Sequence, residues 1–361
     1  MNYRYHRIGK HLACLDQSIY DVVMTVGFGH DRNQLSSIGV SRSVGRRAIK
    51  VVTQGKLRLL NSDNQVLLPV FGHIAMQVHR GYKVFDFNRL EVSKVFSQAV
   101  STRYARKEVT ASRRAAEIAA APRHLLADPD LAWFKEEYIC GVHATDIVSG
   151  LDSEYVKFYP DVEECLLDLV ASESPRSVAM SFHIKRLADT SFRTRWLSGG
   201  MVAGEINEIS RYLQQLRQWL ESRSDADQLQ LVPAHGDFSL VNAIATDAGL
   251  RFIDWEGIAP GGLYSDILNF LFVERYYGRA AGNFSEQISV FVNRYRKSIL
   301  SRFPQLERAA AMDPAIARRL YYLERLKILL DRSVSANLCD VVCKTIAMFR
   351  KFDDETGDVA V

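Results

Sequence analysis

Between Val232 and Phe272, residues that can bind ions and move protons recur at defined spacing. The run Val232-Pro233-Ala234-His235-Gly236-Asp237 is followed, five residues after Asp237, by Asn242. Apolar Ala243-Ile244-Ala245, a polar turn Thr246–Gly249 and a second apolar run Leu250–Ile253 then lead into Asp254-Trp255-Glu256. Strand, glycine-bearing turn and strand predict a β-hairpin. A hairpin brings the residues at its open end, Asn242 and Asp254, close together. A carboxylate and an amide oxygen are hard donors that suit Mg2+. Asp237 lies far enough along the loop to face a substrate instead.

The string His-Gly-Asp-x-x-x-x-Asn followed by Ile-Asp-Trp-Glu resembles the aminoglycoside phosphotransferase and choline kinase-like family, which shares the protein-kinase-like fold. The resemblance covers residues 70–300. It implies ATP and Mg2+ as cofactors. Asp237 would be the catalytic-loop aspartate that accepts or orients the acceptor hydroxyl. Asn242 and Asp254 would hold the metal ions that bridge the nucleotide phosphates. Asp266, in Tyr264-Ser265-Asp266, would brace the loop from a helix start. His235 reads chiefly as a packing and hydrogen-bonding residue of the loop, with direct proton transfer the lesser alternative.

Phosphoryl transfer also needs cations against the phosphate charge, held by an ion pair. Lys94 stands mid-strand in Val92-Ser93-Lys94-Val95-Phe96 and needs a partner there. The following helix offers Glu108, fourteen residues on, with Glu117 the alternative. Lys50, in Arg47-Ala48-Ile49-Lys50-Val51, mimics the kinase lysine motif, but no suitable helix with a glutamate follows it. The turn His79-Arg80-Gly81 is the candidate phosphate-covering loop. It has a single glycine, so backbone cradling by Gly81 is partial and Arg80 assists. Glu136-Glu137-Tyr138-Ile139 resembles a hinge, in which backbone groups of Glu137 and Ile139 would read the adenine edge.

These residues require a scaffold. His73–Val78, Tyr82–Phe87 and Val92–Ser97 are short apolar runs separated by turn residues and predict an antiparallel meander. Thr102–Ala121 is rich in Ala, Arg, Glu and Lys, predicts a helix, and is stopped by Pro122. Leu131–Ile139 predicts a strand or two. Beyond Gly141 the texture is helical, as in Ile206, Ile209, Leu213, Leu216 and Leu220 at three- and four-residue spacing. The expected fold class is α+β: a bilobal protein-kinase-like fold, with an antiparallel-sheet N-lobe, one key helix and a mostly helical C-lobe. The expected divisions are 1–68, an extension with possible strands at Ile49–Val52 and Leu57–Leu60; 69–140, the nucleotide-binding lobe; and 141–361, the lobe with the catalytic loop and acceptor site.

The 361 residues are 47% apolar and 24% charged. That excludes a disordered, collagen-like or coiled-coil chain. Forty-six basic against 42 acidic residues leave a net charge of +4, too little to argue for a nucleic-acid partner. Five cysteines do not make a disulfide framework, and Cys339 and Cys343 lack the companions of a zinc site. No apolar signal-peptide core follows the charged start, and no run of about 18 apolar residues suggests a membrane span. The expected location is cytoplasmic.

The expected activity is ATP-Mg2+ dependent transfer of the γ-phosphoryl group to an alcohol of a non-protein acceptor, a sugar or glycan hydroxyl first. An aminoglycoside-type antibiotic and an amino alcohol such as choline are the alternatives. Choline needs a cage for its quaternary amine, and none is evident. A nucleotide-binding pseudokinase is the reading from another class, opposed by the filled positions Lys94, Asp237, Asn242 and Asp254. A protein kinase is opposed by the arrival of Asp266 only twelve residues after Asp254. Phe182, His183, Lys185 and Arg186, and Arg195 with Trp196, are acceptor-side candidates whose simpler reading is a strand edge and a helix face. The basic helix residues Arg103, Arg106, Lys107, Arg113 and Arg114 read as a solvated face.

Overall fold

The meander predicted over residues 73–97 forms, and it belongs to a wider sheet. In the computed structural model the described residues are 2–8, 11–14, 16, 65–78, 80–148, 156–189, 191–199, 202–223, 228–279, 283–331 and 336–356. Among them, eight strands make one antiparallel sheet: β1 (Tyr3–Ile8), β2 (His11–Cys14), β3 (Gln65–Leu68), β4 (Ile74–Val78), β5 (Gly81–Asp86), β6 (Glu91–Phe96), β7 (His124–Ala127) and β8 (Trp133–Glu137). Their order is β3-β1-β2-β4-β5-β6-β8-β7. The possible strands at Ile49–Val52 and Leu57–Leu60, Lys50 and His79 lie outside the described residues.

Register decides which side chains share a face. Strands β5 and β6 pair Tyr82 with Val95, Val84 with Ser93, Lys83 with Lys94 and Phe85 with Val92. Directly opposed residues project to the same side of a sheet. Val84 and Val95 therefore enter one buried cluster with Tyr5, Leu12 and Cys14, and Lys83 and Lys94 share the other face. The Tyr5 hydroxyl donates to the carbonyls of Val70 and Gly72 at 3.1 and 3.2 Å. The division that set residues 1–68 apart thus differs from the structure. The described parts of that stretch supply three sheet strands and core side chains.

The hairpin between β4 and β5 turns at Arg80-Gly81. Gly81 has φ +150°, and a Cβ there would lie 1.9 Å from the Val95 carbonyl oxygen. Glycine is required by both conformation and space. The helix Thr102–Ala115 follows β6. The Ser101 side chain caps it by accepting from the Tyr104 amide at 3.3 Å, and it buries Ala105, Glu108, Val109, Ser112 and Ala115 on one face. It ends before the expected Ala121.

The chain divides into two compact units, 1–147 with 240–256, and 148–239 with 257–361. The boundary expected at 140 therefore falls later, and the chain returns to the first unit for the predicted hairpin. That hairpin follows β9 (Val142–His143), β10 (Arg176–Ala179) and β11 (Gln228–Ala234), and consists of β12 (Ala243–Thr246) and β13 (Gly249–Phe252), with β9 paired to β12. The second unit holds β10, β11 and β14 (Ala259–Gly262) in a small antiparallel sheet. Its long helices include Tyr159–Ala171, Ala203–Arg223, Ser265–Tyr276, Phe284–Arg302, Pro314–Leu330 and Ala336–Glu355. Buried Trp196, Tyr212, Phe270, Phe272, Tyr322 and Phe349 belong to its core. No helix among the described residues is long and apolar enough to cross a membrane.

Candidate active site

The first unit encloses a cavity of about 510 Å³. Val78 and Val92 line it from the sheet, and Val241, Ile244 and Ile253 from the hairpin segment. Glu137, Tyr138 and Ile139 line its edge. Such apolar walls suit a flat ring system. A smaller adjoining cavity of about 160 Å³ is lined by Arg80, Lys83 and Lys94 against Glu108, Asp254 and Glu256. Three cations and three carboxylates there form a site able to exchange partners with a polyanion and a divalent ion.

Lys94 Nζ is 2.6 Å from Glu108 Oε2 and also contacts Glu256. The Lys94 and Glu108 side chains are 12% and 1% exposed, so this pair is largely dry. Burial works against the Lys94 charge, but Glu256 and Glu108 outweigh it and hold the ammonium above the ordinary lysine range. Glu117 is exposed in the turn after the helix; of the two glutamates considered, Glu108 is the partner. The Arg80 guanidinium lies 3.6 Å from the Tyr104 ring centre, a cation–π contact that holds it beside the turn. Glu136, from β8, also lines the large cavity. Burial pushes its carboxyl up, offset in part by a hydrogen bond from Ser112.

The hairpin's open end closes through the Ile253 amide, which donates to the Asn242 carbonyl at 2.8 Å. That bond brackets Asn242 and Asp254, and both line the large cavity. Asp254 has φ +63°, a left-handed conformation that Asp and Asn tolerate better than other side chains. Backbone strain of this kind concentrates at functional sites. The Lys83 ammonium hydrogen-bonds Asp254 Oδ1. Trp255, buried beside it, donates its indole N–H to the Phe252 carbonyl at 2.6 Å. The hairpin is fastened to its own unit by Phe252 N–H on the Ala120 carbonyl (2.7 Å) and by Arg251 on the Ala121 carbonyl (2.6 Å) and Glu137 (3.1 Å). The Glu137 side chain is thereby engaged in structure, and its backbone N–H donates to the Arg123 carbonyl at 2.9 Å.

Asp237 lies in the second unit, in the turn after β11. The amides of His235 and Gly236 donate to Asp266 at 2.6 and 2.9 Å. The Phe238 carbonyl accepts from Asn269 at 2.9 Å, and Asn269 is itself held by the Tyr321 hydroxyl at 3.1 Å. Asp266 and Asn269, one helical turn apart, grip the loop at both ends. Burial raises the Asp266 carboxyl against the opposing pull of His235 and the two amides. Gly236 has φ +81°, the glycine-favouring region. His235 has no exposed surface, and its Nδ1 accepts from the Asp237 amide at 3.3 Å. These are the surroundings of a residue packed within the loop. Asp237 Oδ1 accepts from Arg325 at 2.8 Å, and the same guanidinium nitrogen donates to the Gly236 carbonyl at 3.1 Å.

Several of these residues escaped the sequence reading. Lys83 could have been found by counting back from the β5–β6 turn, residues 87–90, which aligns it with Lys94. Arg325 and Asn269 lie 88 residues and about thirty residues from the groups they hold, and no local pattern marks them. Of the acceptor-side candidates, Phe182, His183, Lys185 and Arg186 lie on a helix, Met180–Leu187, rather than at a strand edge; His183 is buried on Glu324 at 3.2 Å, and Trp196 is a core residue. Phe182 is exposed.

No protein-family model matches the chain, and no curated protein matches it. Solved structures do. A choline kinase from Cryptosporidium parvum Iowa II aligns with a TM-score of 0.51 at 15% identity, covering 80% of this chain and 89% of that one. A thermostable mutant of an aminoglycoside phosphotransferase, in ternary complex with ADP and hygromycin B, aligns at 0.47 and 17% identity over 75% of this chain and 93% of that one. A choline/ethanolamine kinase family protein from Mesorhizobium loti aligns at 0.44 and 15% identity over 86% and 98%. The first of these likenesses establishes the fold, α+β and protein-kinase-like, the fold of small-molecule kinases.

Proposed function

From the fold it shares with a choline kinase, we propose that this chain is an ATP- and Mg2+-dependent phosphotransferase that moves the γ-phosphoryl group to an alcohol of a non-protein acceptor, a sugar or glycan hydroxyl. The observation that carries the reading is the Lys94–Glu108 pair at 2.6 Å, opening on a cavity that Asn242 and Asp254 also line. A buried lysine with a dedicated carboxylate is costly unless it has a use beyond packing. The acceptor class rests on less. The breadth of acceptors in the resembled family includes sugar units.

The donor set fits a divalent cation. Asp254 and Asn242 are hard oxygen ligands, and a cation, the Lys83 ammonium, already stands on Asp254. Asn242 and Asp254 would hold Mg2+, which supplies charge neutralisation between the nucleotide phosphates. Val78, Val92 and Ile244 would pack the base, with backbone groups of Glu137 and Ile139 reading its edge. Lys94, fixed by Glu108, would bind phosphate oxygens. Arg80 would add charge from the turn. Asp237 would accept a hydrogen bond from the acceptor hydroxyl, align its oxygen for in-line attack and take its proton. His235, Asp266 and Asn269 hold the loop that presents it.

The test is purified protein with ATP labelled at the γ-phosphate, Mg2+ and a panel of sugars, amino sugars, aminoglycosides and amino alcohols. Label transferred to a sugar hydroxyl is expected. Transfer confined to choline or ethanolamine would overturn the acceptor class, and failure to bind any nucleotide would overturn the enzyme reading.

A further inference from the structure

The β5–β6 register sets two lysines directly opposite each other, Lys83 and Lys94. Like charges in that position repel. Both line the same two cavities, and both are neutralised there by carboxylates. Their partners differ in kind. Lys94, its side chain 12% exposed, has the dry Glu108, 1% exposed, in addition to Glu256, 45% exposed. Lys83 has Asp254, with the two side chains 24% and 41% exposed. An ion pair with that much water around it contributes little and is readily exchanged, whereas a dry pair is not. Lys83 is therefore the lysine able to change partners. Its partner is also the residue read above as the metal ligand.

We propose that Lys83 is a second phosphate-binding lysine that serves as the counter-ion of Asp254 until a metal–nucleotide complex binds. On binding, the divalent ion takes the Asp254 carboxylate and the Lys83 ammonium passes to the nucleotide's phosphate oxygens. One cation is thereby exchanged for another at Asp254 while the released ammonium meets the incoming anion, so neither the carboxylate nor the ammonium is left without a counter-charge. This inference rests on the reading of Asp254 as a metal ligand. It adds a residue that the motif does not contain.

The experiment uses the full chain and three variants, Lys83→Met, Lys83→Gln and Lys83→Arg, each first checked for a wild-type melting transition. Calorimetry measures binding of adenosine, of ADP with Mg2+ and of a non-hydrolysable ATP analogue with Mg2+. Manganese resonance measures Mn2+ binding without nucleotide. Removing a charge-assisted bond to phosphate should weaken the analogue by about 10- to 100-fold, while adenosine binding stays within about twofold. Arginine should restore most of the loss. Mn2+ alone should bind more tightly to Lys83→Met and Lys83→Gln, since its competitor is gone. A structural pin would behave otherwise: adenosine and the analogue would weaken together, and Mn2+ binding would fall. Either that pattern or unchanged binding of every ligand overturns the proposal. If wild-type protein binds the analogue and only the Lys83 pattern is missing, the kinase reading stands without this residue; if wild-type protein binds no nucleotide, both fall.

Discussion

Replacing Asp237 by Asn tests the catalytic loop with the smallest change of shape. The amide keeps an oxygen where Oδ1 accepts from Arg325 at 2.8 Å, so a neutral hydrogen bond remains and the ionic part is lost. The Asp237 side chain is 44% exposed, which screens that ionic part. Arg325 keeps its bond to the Gly236 carbonyl. The stability loss should therefore be about 0.5–1 kcal/mol, the range of solvent-screened pairs, rather than the 3–5 kcal/mol of a fully buried charge left alone. Turnover should respond very differently. A base and positioning group contributes about 10²–10⁴-fold, equivalent to roughly 3–5.5 kcal/mol in the barrier. Nucleotide affinity should change by less than about tenfold, because Asn242 and Asp254 are the proposed metal ligands. Three measurements separate these effects: urea unfolding, calorimetry with a non-hydrolysable analogue and Mg2+, and an acceptor-dependent transfer assay. Turnover within about tenfold of wild type would refute the role of Asp237. Collapse of nucleotide binding in a folded variant would instead place it in the metal site.

Asp254→Asn should abolish Mg2+-dependent turnover while the melting transition survives, because Asn tolerates φ +63° as Asp does but is a poorer ligand for a hard ion; activity restored by saturating Mg2+ would count against it. Lys94→Ala should reduce turnover far more than Lys50→Ala, and the reverse order would show that Lys94 and Glu108 are only a structural pair. Glu136 is held above its unfolded range by burial. The folded state therefore binds its proton more tightly, and stability falls as pH rises through the window between the unfolded value, about 4.3, and the higher folded one. Glu136→Gln, neutral throughout, should gain stability relative to wild type between about pH 4 and about pH 8, read by denaturant unfolding at both; a gain independent of pH would mean that the wild-type carboxyl does not titrate in this way.

The parts of the fold that could be read from sequence are those whose signals are local. The β4–β6 meander shows as alternating runs with turn residues between them. The hairpin at 243–252 shows as two apolar runs around Gly249, and the helix after β6 as a stretch of strong helix formers with Pro122 beyond it. Lys94 and Glu108 could be paired because a strand and the next helix are adjacent in sequence. Strands β1 and β2 were not seen, because Tyr3–Cys14 mixes aromatic and apolar residues with His and Arg, which masks the pattern, and because their outer partners, β3 and β4, come about sixty residues later. Strand β7 was lost in a His-Leu-Leu-Ala run with two exposed leucines. Arg325, Asn269 and Glu256 acquire their roles from residues 31 to 162 positions away, and only the folded chain brings them there. Division of the chain by position alone also fails where residues 240–256 return to the first unit.

The indole of Trp255 offers an optical window on the site. It is buried, lines the larger cavity, and stands in sequence between Asp254 and Glu256. Its N–H is anchored on the Phe252 carbonyl, so the ring is held still while the charges on either side change partners. The chain has four tryptophans. Trp196 lies in the core of the second unit, and Trp219 is packed against Arg223 and Arg319 at 4.5 and 4.0 Å. Replacing Trp133, Trp196 and Trp219 by Phe leaves a single tryptophan, next in sequence to Asp254 and lining the same cavity. Its emission would follow cation exchange there in real time, before any acceptor is known and without a label.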